Sequence, residues 1–294
     1  MINKISIGTA SFGMKYGVIN REKETLDKNT ISKILSICKE AGIKKIDTAF
    51  DYGNAHNILS QCLPSNHCFE ITTKVSFKTL DDNNKEELNK LEKEIKTLLK
   101  DWGVEYIDAL LLHKYKDIKR ERIKEWLEKL RSKGLVKYVG ISSYFDEINQ
   151  DILKQNLNKL QIPISCVDQR ILNKLREEES YKNIFNIISA RSVYLQGILL
   201  CDIEKLPKFI NNSDYMEIKR WHYQLAQAGI SPQSYCMNYI LSQEEVDEII
   251  IGLNSTAEAE ALINNSEIHK KEKQVSISPP KLSNGLIDPR GWPI

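Results

Sequence analysis

The 294-residue sequence has no uninterrupted apolar run of the roughly 18 residues that a bilayer-crossing helix needs. Its opening, MINKISIGTASFG, also lacks the apolar core and cleavage site of a secretory signal, so a cytoplasmic protein with no membrane partner is expected. An excess of one charge is missing too. Against 42 Lys and Arg stand 40 Asp and Glu, a formal net charge of +2, which disfavours a nucleic-acid partner because phosphate contacts call for a basic surplus. The six cysteines, Cys38, Cys62, Cys68, Cys166, Cys201 and Cys236, form no CxxC or CxxH pattern, so neither a zinc knuckle nor a disulfide framework is indicated and no metal set is visible. Finally, the first apolar run leads into GTASFG where an open doubly wound sheet would carry GxGxxG.

What the sequence does contain is an alternation of short apolar runs with longer amphipathic stretches. Strand-length runs lie at Ile5–Gly8, Lys45–Thr48, Phe69–Val75, Ile107–Leu112, Tyr138–Ser142, Pro163–Gln169, Phe185–Ala190 and Val246–Ile251. Helical periodicity occupies Thr30–Ala41, Ala55–Leu63, Lys85–Trp102, Glu121–Lys133, Glu147–Asn156, Leu175–Asn183, Ser231–Leu241 and Thr256–Asn264, with an additional helix over Asp214–Ala228. In the third, Leu88, Leu91, Ile95, Leu98 and Leu99 form one apolar stripe. Runs such as IDALLL are apolar without alternation, as strands covered on both faces require. Eight strand–helix units predict an α/β fold, a single-domain (β/α)8 TIM barrel over residues 1–294. Residues 265–294, interrupted by Pro279, Pro280 and Pro289, are expected to run over the barrel as a tail.

In such a barrel, reactive groups belong at the C-terminal ends of strands. Asp47 ends the second strand, with Tyr52 five residues on; Lys74 lies at the end of the third and His113 just after the fourth. Taken singly, each has an ordinary structural explanation as cap, rim residue, snorkelling cation or satisfied histidine. Together they form a coherent proton-transfer set. Lys74 as an ammonium beside Tyr52 is expected to stabilise the phenolate and lower its pKa, and Asp47 would keep the buried cation charged. His113 would donate a hydrogen bond to a carbonyl oxygen.

These residues resemble the aldo-keto reductase superfamily along nearly the whole chain: ISIGTASFG, DTAFDYGN, TTK, YIDALLLH, GLVKYVGISSY, VDQR, ARSVYLQGILL and IIIGLNS fall at successive strands. The resemblance implies a catalytic tetrad of Asp47, Tyr52, Lys74 and His113, and NAD(P)H-dependent reduction of an aldehyde, ketone or sugar to an alcohol, with Tyr52 as general acid. It places Gly8, Thr9, Ala10 and Asp47 near the nicotinamide, and a carboxamide clamp on Ser142, Gln169 and, where the family usually has Asn, Ser143. Arg191 stands where the family carries a stacking aromatic, followed by Ser192, Gln196 and Gly197 as pyrophosphate neighbours. After the eighth strand, Gly252, Asn254, Ser255 and Thr256 replace the Lys or Arg that pairs with a 2′-phosphate, so NADP(H) and NAD(H) both remain open as cofactor.

The basic loop with Lys114, Lys116, Lys119 and Arg120 suits an anionic sugar derivative or is a solvated loop. GTASFGMKYG, ARSVYLQG and the DPRGWP tail are similar to a bacterial subgroup associated with surface-sugar metabolism. Two other readings use the same residues, a cofactor-binding regulatory or scaffold subunit and a redox-neutral sugar epimerase or lyase. The oligomeric state is not written in the sequence.

Overall fold

Strand β1 (Ile5–Gly8) pairs in parallel with β2 (Lys45–Asp47) on one side and with β8 (Glu248–Gly252) on the other, so the sheet has no edge. Between them run β3 (Glu70–Val75), β4 (Ile107–Leu112), β5 (Val136–Ser142), β6 (Lys159–Pro163) and β7 (Ile187–Arg191), each parallel to its sequence neighbour. This arrangement was obtained as a computed structural model, which describes residues 2–19, 25–77, 85–149, 152, 154–177, 184–268 and 277–293. The fold is the (β/α)8 barrel expected from the strand count, and most strand residues are buried because helices cover the outside.

Helices α1 (Lys28–Glu40), α2 (Ala55–Cys62), α3 (Lys85–Trp102), α4 (Glu121–Ser132), α5 (Arg170–Glu177), α6 (Asn212–Gln227), α7 (Pro232–Leu241) and α8 (Thr256–Ile268) form the outer layer. Local sequence explains their starts. Asp27 accepts from Thr30 N at 3.0 Å to cap α1, and Asn211 accepts from Asp214 N at 2.9 Å to cap α6. Ser231 accepts from Ser234 N at 3.0 Å, and Pro232 follows in the first turn of α7, where its missing N–H costs nothing. In α3, Ile95 and Leu99 are buried and Leu88, Leu91 and Leu98 half-buried, so the apolar stripe faces the barrel.

The barrel interior carries two polar tiers in register. Asp47, Lys74 and Gln161 interact above; two residues earlier on the same strands, Lys45, Thr72 and Lys159 interact below with Glu248 of β8. In the lower tier Lys159 Nζ donates to Glu248 Oε2 at 2.5 Å and to Thr72 Oγ1 at 3.0 Å, while Lys45 Nζ donates to Glu248 Oε1 at 2.8 Å. Ser189 Oγ adds a third contact to Glu248 at 2.8 Å. Period-two alternation puts both tiers on the inner face.

Strand β6 differs from the sequence expectation: it is Lys159–Pro163, and the apolar run Pro163–Gln169 that follows forms the loop above it. The interior needs Lys159 and Gln161 as polar side chains, which break the apolar pattern of a buried strand, whereas ISCV after them packs as a buried loop. Within the helix expected over Glu147–Asn156, Ile152 is helical and Phe145–Glu147 form a 3-10 turn, while residues 150, 151 and 153 lie outside the description. Helix α5 begins at Arg170, five residues before the expected Leu175, and residues 178–183 of that expectation are outside the description.

In the described part of the C-terminal segment, Ser283 donates to the Asp214 carboxylate from its N at 2.8 Å and from its Oγ at 2.6 Å. Trp292 lies 5.4 Å from the ring of Phe209, and Arg290 donates to Asp146 after β5 at 2.7 Å. The segment thus ties α6 to the β5 side of the barrel rim. No helix among the described residues is long and apolar enough to cross a membrane.

Candidate active site

At the C-terminal end of the barrel, Asp47 ends β2 and Lys74 sits one residue before the end of β3, on the inner face. Lys74 is fully buried, and its ammonium donates to Asp47 Oδ1 at 2.5 Å, to Thr48 O at 2.9 Å and to Tyr52 Oη at 3.3 Å. An ammonium has three protons and no acceptor, so these contacts use all of them. The other Asp47 oxygen accepts from Gln161 Nε2 at 2.6 Å, and Gln161 Oε1 in turn accepts from Ser142 Oγ at 3.1 Å.

Tyr52 is placed by a close backbone approach. The helical turn Ala10–Gly13 after β1 rests on the loop that follows β2, with Asn54 N donating to Gly13 O at 3.2 Å. A Cβ on Gly13 would stand 2.0 Å from Tyr52 O, and Gly53, at φ +55°, faces Gly13 O with the same constraint. No side chain fits at either position.

His113 follows β4, its ring edge-on to Tyr52 with centroids 5.9 Å apart. Its Nδ1 lies 3.0 Å from Asp51 Oδ2, and that oxygen also accepts from Ser76 Oγ at 2.6 Å. Asp51, next to Tyr52 in sequence, is thus a partner of the histidine that spacing alone did not single out. Its only sequence signal is the carboxylate in DTAFDYGN, one position from the tyrosine.

Burial pushes the Tyr52 phenol well above its ordinary range, and the Asp47 charge adds to the effect. This reverses the sequence expectation that Lys74 lowers it: the ammonium is neutralised by Asp47, leaving burial to dominate. Tyr52 is therefore protonated at neutral pH. Burial also lowers the pKa of Lys74, with Asp47 opposing. For His113, burial and then the Lys74 charge lower the pKa, while Asp51 works against them.

A cavity of about 320 Å³ opens beside this cluster. Of the residues expected at a cofactor, Gly8, Thr9, Ala10, Asp47, Arg191, Ser192, Gln196, Gly197, Gly252 and Asn254 line it, together with Tyr52. Ser142, Ser143, Gln169, Ser255 and Thr256 do not. Gln169 donates to Cys166 O at 2.8 Å within its own loop, Ser143 Oγ donates to Glu147 at 2.9 Å, and Ser255 Oγ accepts from Glu258 N at 3.1 Å as a helix cap. The sixth-strand glutamine facing the cavity is Gln161 instead, a direct consequence of the shifted β6. Tyr16, Gln233 and Glu258 also line it and were not singled out in the sequence.

Arg191 ends β7 with its guanidinium 4.5 Å from the Tyr144 ring, whose neighbourhood Arg290 shares at 4.0 Å. Arg191 Nη2 donates to Ser143 O at 3.1 Å, while its buried Nε has no protein partner. The loop that follows holds Ser192, Leu195 and Gln196 at φ of 59°, 49° and 52°, beside Gly197 at 95°. Three non-glycine residues in the left-handed region, each costing on the order of 1–2 kcal/mol, mark a loop held in shape by its surroundings, as functional sites commonly are. In the basic loop after β4, Lys119 stacks on Tyr115 at 5.3 Å and Arg120 on Phe77 at 5.5 Å, so the charges of these two residues are engaged by the protein itself. Among the described residues no group of three or more His, Cys, Asp or Glu is placed to hold a metal.

Comparison with known proteins gives the same fold. The aldo-keto reductase of Bacillus halodurans, in its holo form, superposes with a TM-score of 0.69 over 93% of this chain and 88% of that one, at 20% identity. A Pseudomonas aeruginosa protein named as a candidate aldo-keto reductase superposes with a TM-score of 0.63 over 91% of each chain, at 16% identity. No curated protein matches the sequence significantly. The sequence profile of the Aldo/keto reductase family matches residues 4–278, and the chain belongs to that family of oxidoreductases.

Proposed function

We propose that this aldo-keto reductase reduces a small polar aldehyde, ketone or sugar derivative to the alcohol, with Tyr52 giving up the proton. The observation that carries the reading is the contact of Lys74 Nζ with Tyr52 Oη at 3.3 Å. A lysine ammonium only donates, so Tyr52 is the acceptor there and its own hydroxyl proton is available to an incoming carbonyl oxygen. Burial keeps that proton in place in the resting state. When it leaves, the Lys74 ammonium lies beside the new phenolate, and Asp47, tied by Gln161, holds the ammonium still. His113, fixed through Asp51, forms the second wall of the carbonyl position.

The residues fit a nicotinamide dinucleotide. Gly8 and Gly252 pair across the β1–β8 ladder and add no side chain to the cavity they line, and the unpartnered Arg191 Nε is a buried donor that calls for an acceptor. When bound, the nicotinamide supplies the hydride. Thr9, Ala10, Ser192, Gln196, Gly197 and Asn254 would hold the cofactor along the cavity. The sugar class rests on the resemblance of GTASFGMKYG, ARSVYLQG and DPRGWP to surface-sugar enzymes.

The test is turnover with a panel of simple and sugar aldehydes and ketones, following oxidation of reduced cofactor together with the alcohol product. Cofactor binding without alcohol formation on any of them would favour the scaffold reading, and sugar conversion without net cofactor consumption would favour the epimerase.

A further inference from the structure

We propose that Glu258 makes the dinucleotide site selective for NADH: its carboxylate accepts the 2′-hydroxyl of the ribose farthest from the nicotinamide and excludes a 2′-phosphate there. This rests on the reductase reading, which puts the nicotinamide beside Tyr52. The inner wall of the cavity is then Asp47, Tyr52, Gln161 and Arg191 over the barrel axis, and its outer rim is Leu253, Asn254 and Glu258 after β8. A dinucleotide with its reacting ring at the inner wall sends its second nucleoside out toward that rim.

Two observations fix the chemistry of the rim. Among the described residues that line the cavity, the one Lys or Arg is Arg191, at the inner wall, so the charged group at the rim is Glu258 and it is negative. Glu258 is held in place: its Oε2 accepts from Asn254 N at 2.8 Å and from Asn254 Nδ2 at 3.2 Å, while its own N donates to Ser255 Oγ at 3.1 Å. This is a reciprocal cap at the start of α8, and it meets the positive end of the helix with the protein's own carboxylate.

The start of α8 would otherwise be a place for phosphate, because unpaired amides and the helix dipole favour an anion. Here the carboxylate already takes the Asn254 amide and supplies the negative charge. A 2′-phosphate would have to displace Glu258 or sit next to it without a basic partner, and like charges at that distance repel. A ribose hydroxyl, in contrast, can donate to a carboxylate oxygen whose remaining lone pairs are free. An acidic residue receiving the ribose hydroxyl is the usual physical solution for NAD in unrelated dinucleotide folds.

The experiment is equilibrium binding, read by quenching of tryptophan fluorescence as NADH or NADPH is added to the intact protein, for wild type, Glu258→Gln, Glu258→Arg and Ser255→Ala. Wild type is expected to bind NADH about tenfold or more tighter than NADPH, as differential recognition of a charged group allows. Glu258→Gln should bring the two affinities together, chiefly by tightening NADPH, and Glu258→Arg should reverse the order. Ser255→Ala removes a cap bond without changing charge and should keep the wild-type ratio, separating charge selection from helix fraying. Equal or tighter NADPH binding by wild type, or an unchanged ratio in folded Glu258→Gln, overturns the inference while leaving the reductase reading intact. Failure of both dinucleotides to bind overturns both.

Discussion

Gln161 Nε2 lies 2.6 Å from Asp47 Oδ2, so the carboxylate that steadies Lys74 through one oxygen is itself steadied through the other by a side chain from the opposite side of the barrel. Both groups are buried. Gln161→Leu would leave Asp47 Oδ2 without this donor and is expected to lower unfolding free energy by about 1–3 kcal/mol, the usual cost of orphaning a buried acceptor. Urea denaturation measures it; wild-type stability in Gln161→Leu would show that Asp47 finds another partner.

The lower tier makes a prediction about acid. Burial alone would raise the Glu248 carboxyl, but Lys159 and Lys45 outweigh it and hold the pKa at about 2, against an ordinary 4.5. Because the folded pKa is the depressed one, the stabilisation is fully present above about pH 4.5 and is lost as pH falls toward 2. Its size is on the order of 3 kcal/mol, at 1.36 kcal/mol per unit. In Glu248→Gln the fall in stability across this window should be shallower than in wild type; identical acid unfolding curves would contradict the assignment.

Lys159 tests the same tier from the other side. Lys159→Met leaves Glu248 with Lys45 and Ser189 alone and should destabilise by about 3 kcal/mol, as loss of one partner of a buried ion pair does. Replacing both groups, as in Lys159→Met with Glu248→Leu, removes the uncompensated charge and should recover much of that loss. A double variant less stable than Lys159→Met would show that the tier is more than a compensated pair.

Asp51 should act on His113. Its carboxylate opposes the lowering of the histidine pKa by burial and Lys74, so Asp51→Asn should move the His113 titration to lower pH in proton NMR. No movement, or an upward one, would separate the two residues electrically.

Most of the barrel was legible because its strands are apolar runs with helical stretches between, and the interior polar groups of β2 and β3 come at strand ends where a site is expected. Strand β6 was not legible for the opposite reason. Lys159 and Gln161 lie inside it, and a buried lysine is compensated by Glu248 of β8, 89 positions away in sequence, which no local pattern reveals. That shift moved the expected glutamine from Gln161 to Gln169. Asp51 was missed because its function depends on the His113 loop, and Glu258 because a Ser-x-x-Glu pattern reads first as an ordinary helix cap. The Tyr52 pKa was read with the wrong sign, since sequence shows the neighbouring ammonium but not the depth of burial.

The central claim is that Tyr52 donates the proton, and Tyr52→Phe tests it most directly. The variant removes one hydroxyl and leaves the ring against His113 and the cavity floor unchanged. Reduced-cofactor affinity measured by fluorescence should stay within about twofold of wild type, while reduction of the best carbonyl substrate should fall by about 10²-fold or more, the scale of a lost general acid. Carbonyl reduction at the wild-type rate in folded, cofactor-binding Tyr52→Phe would contradict the account.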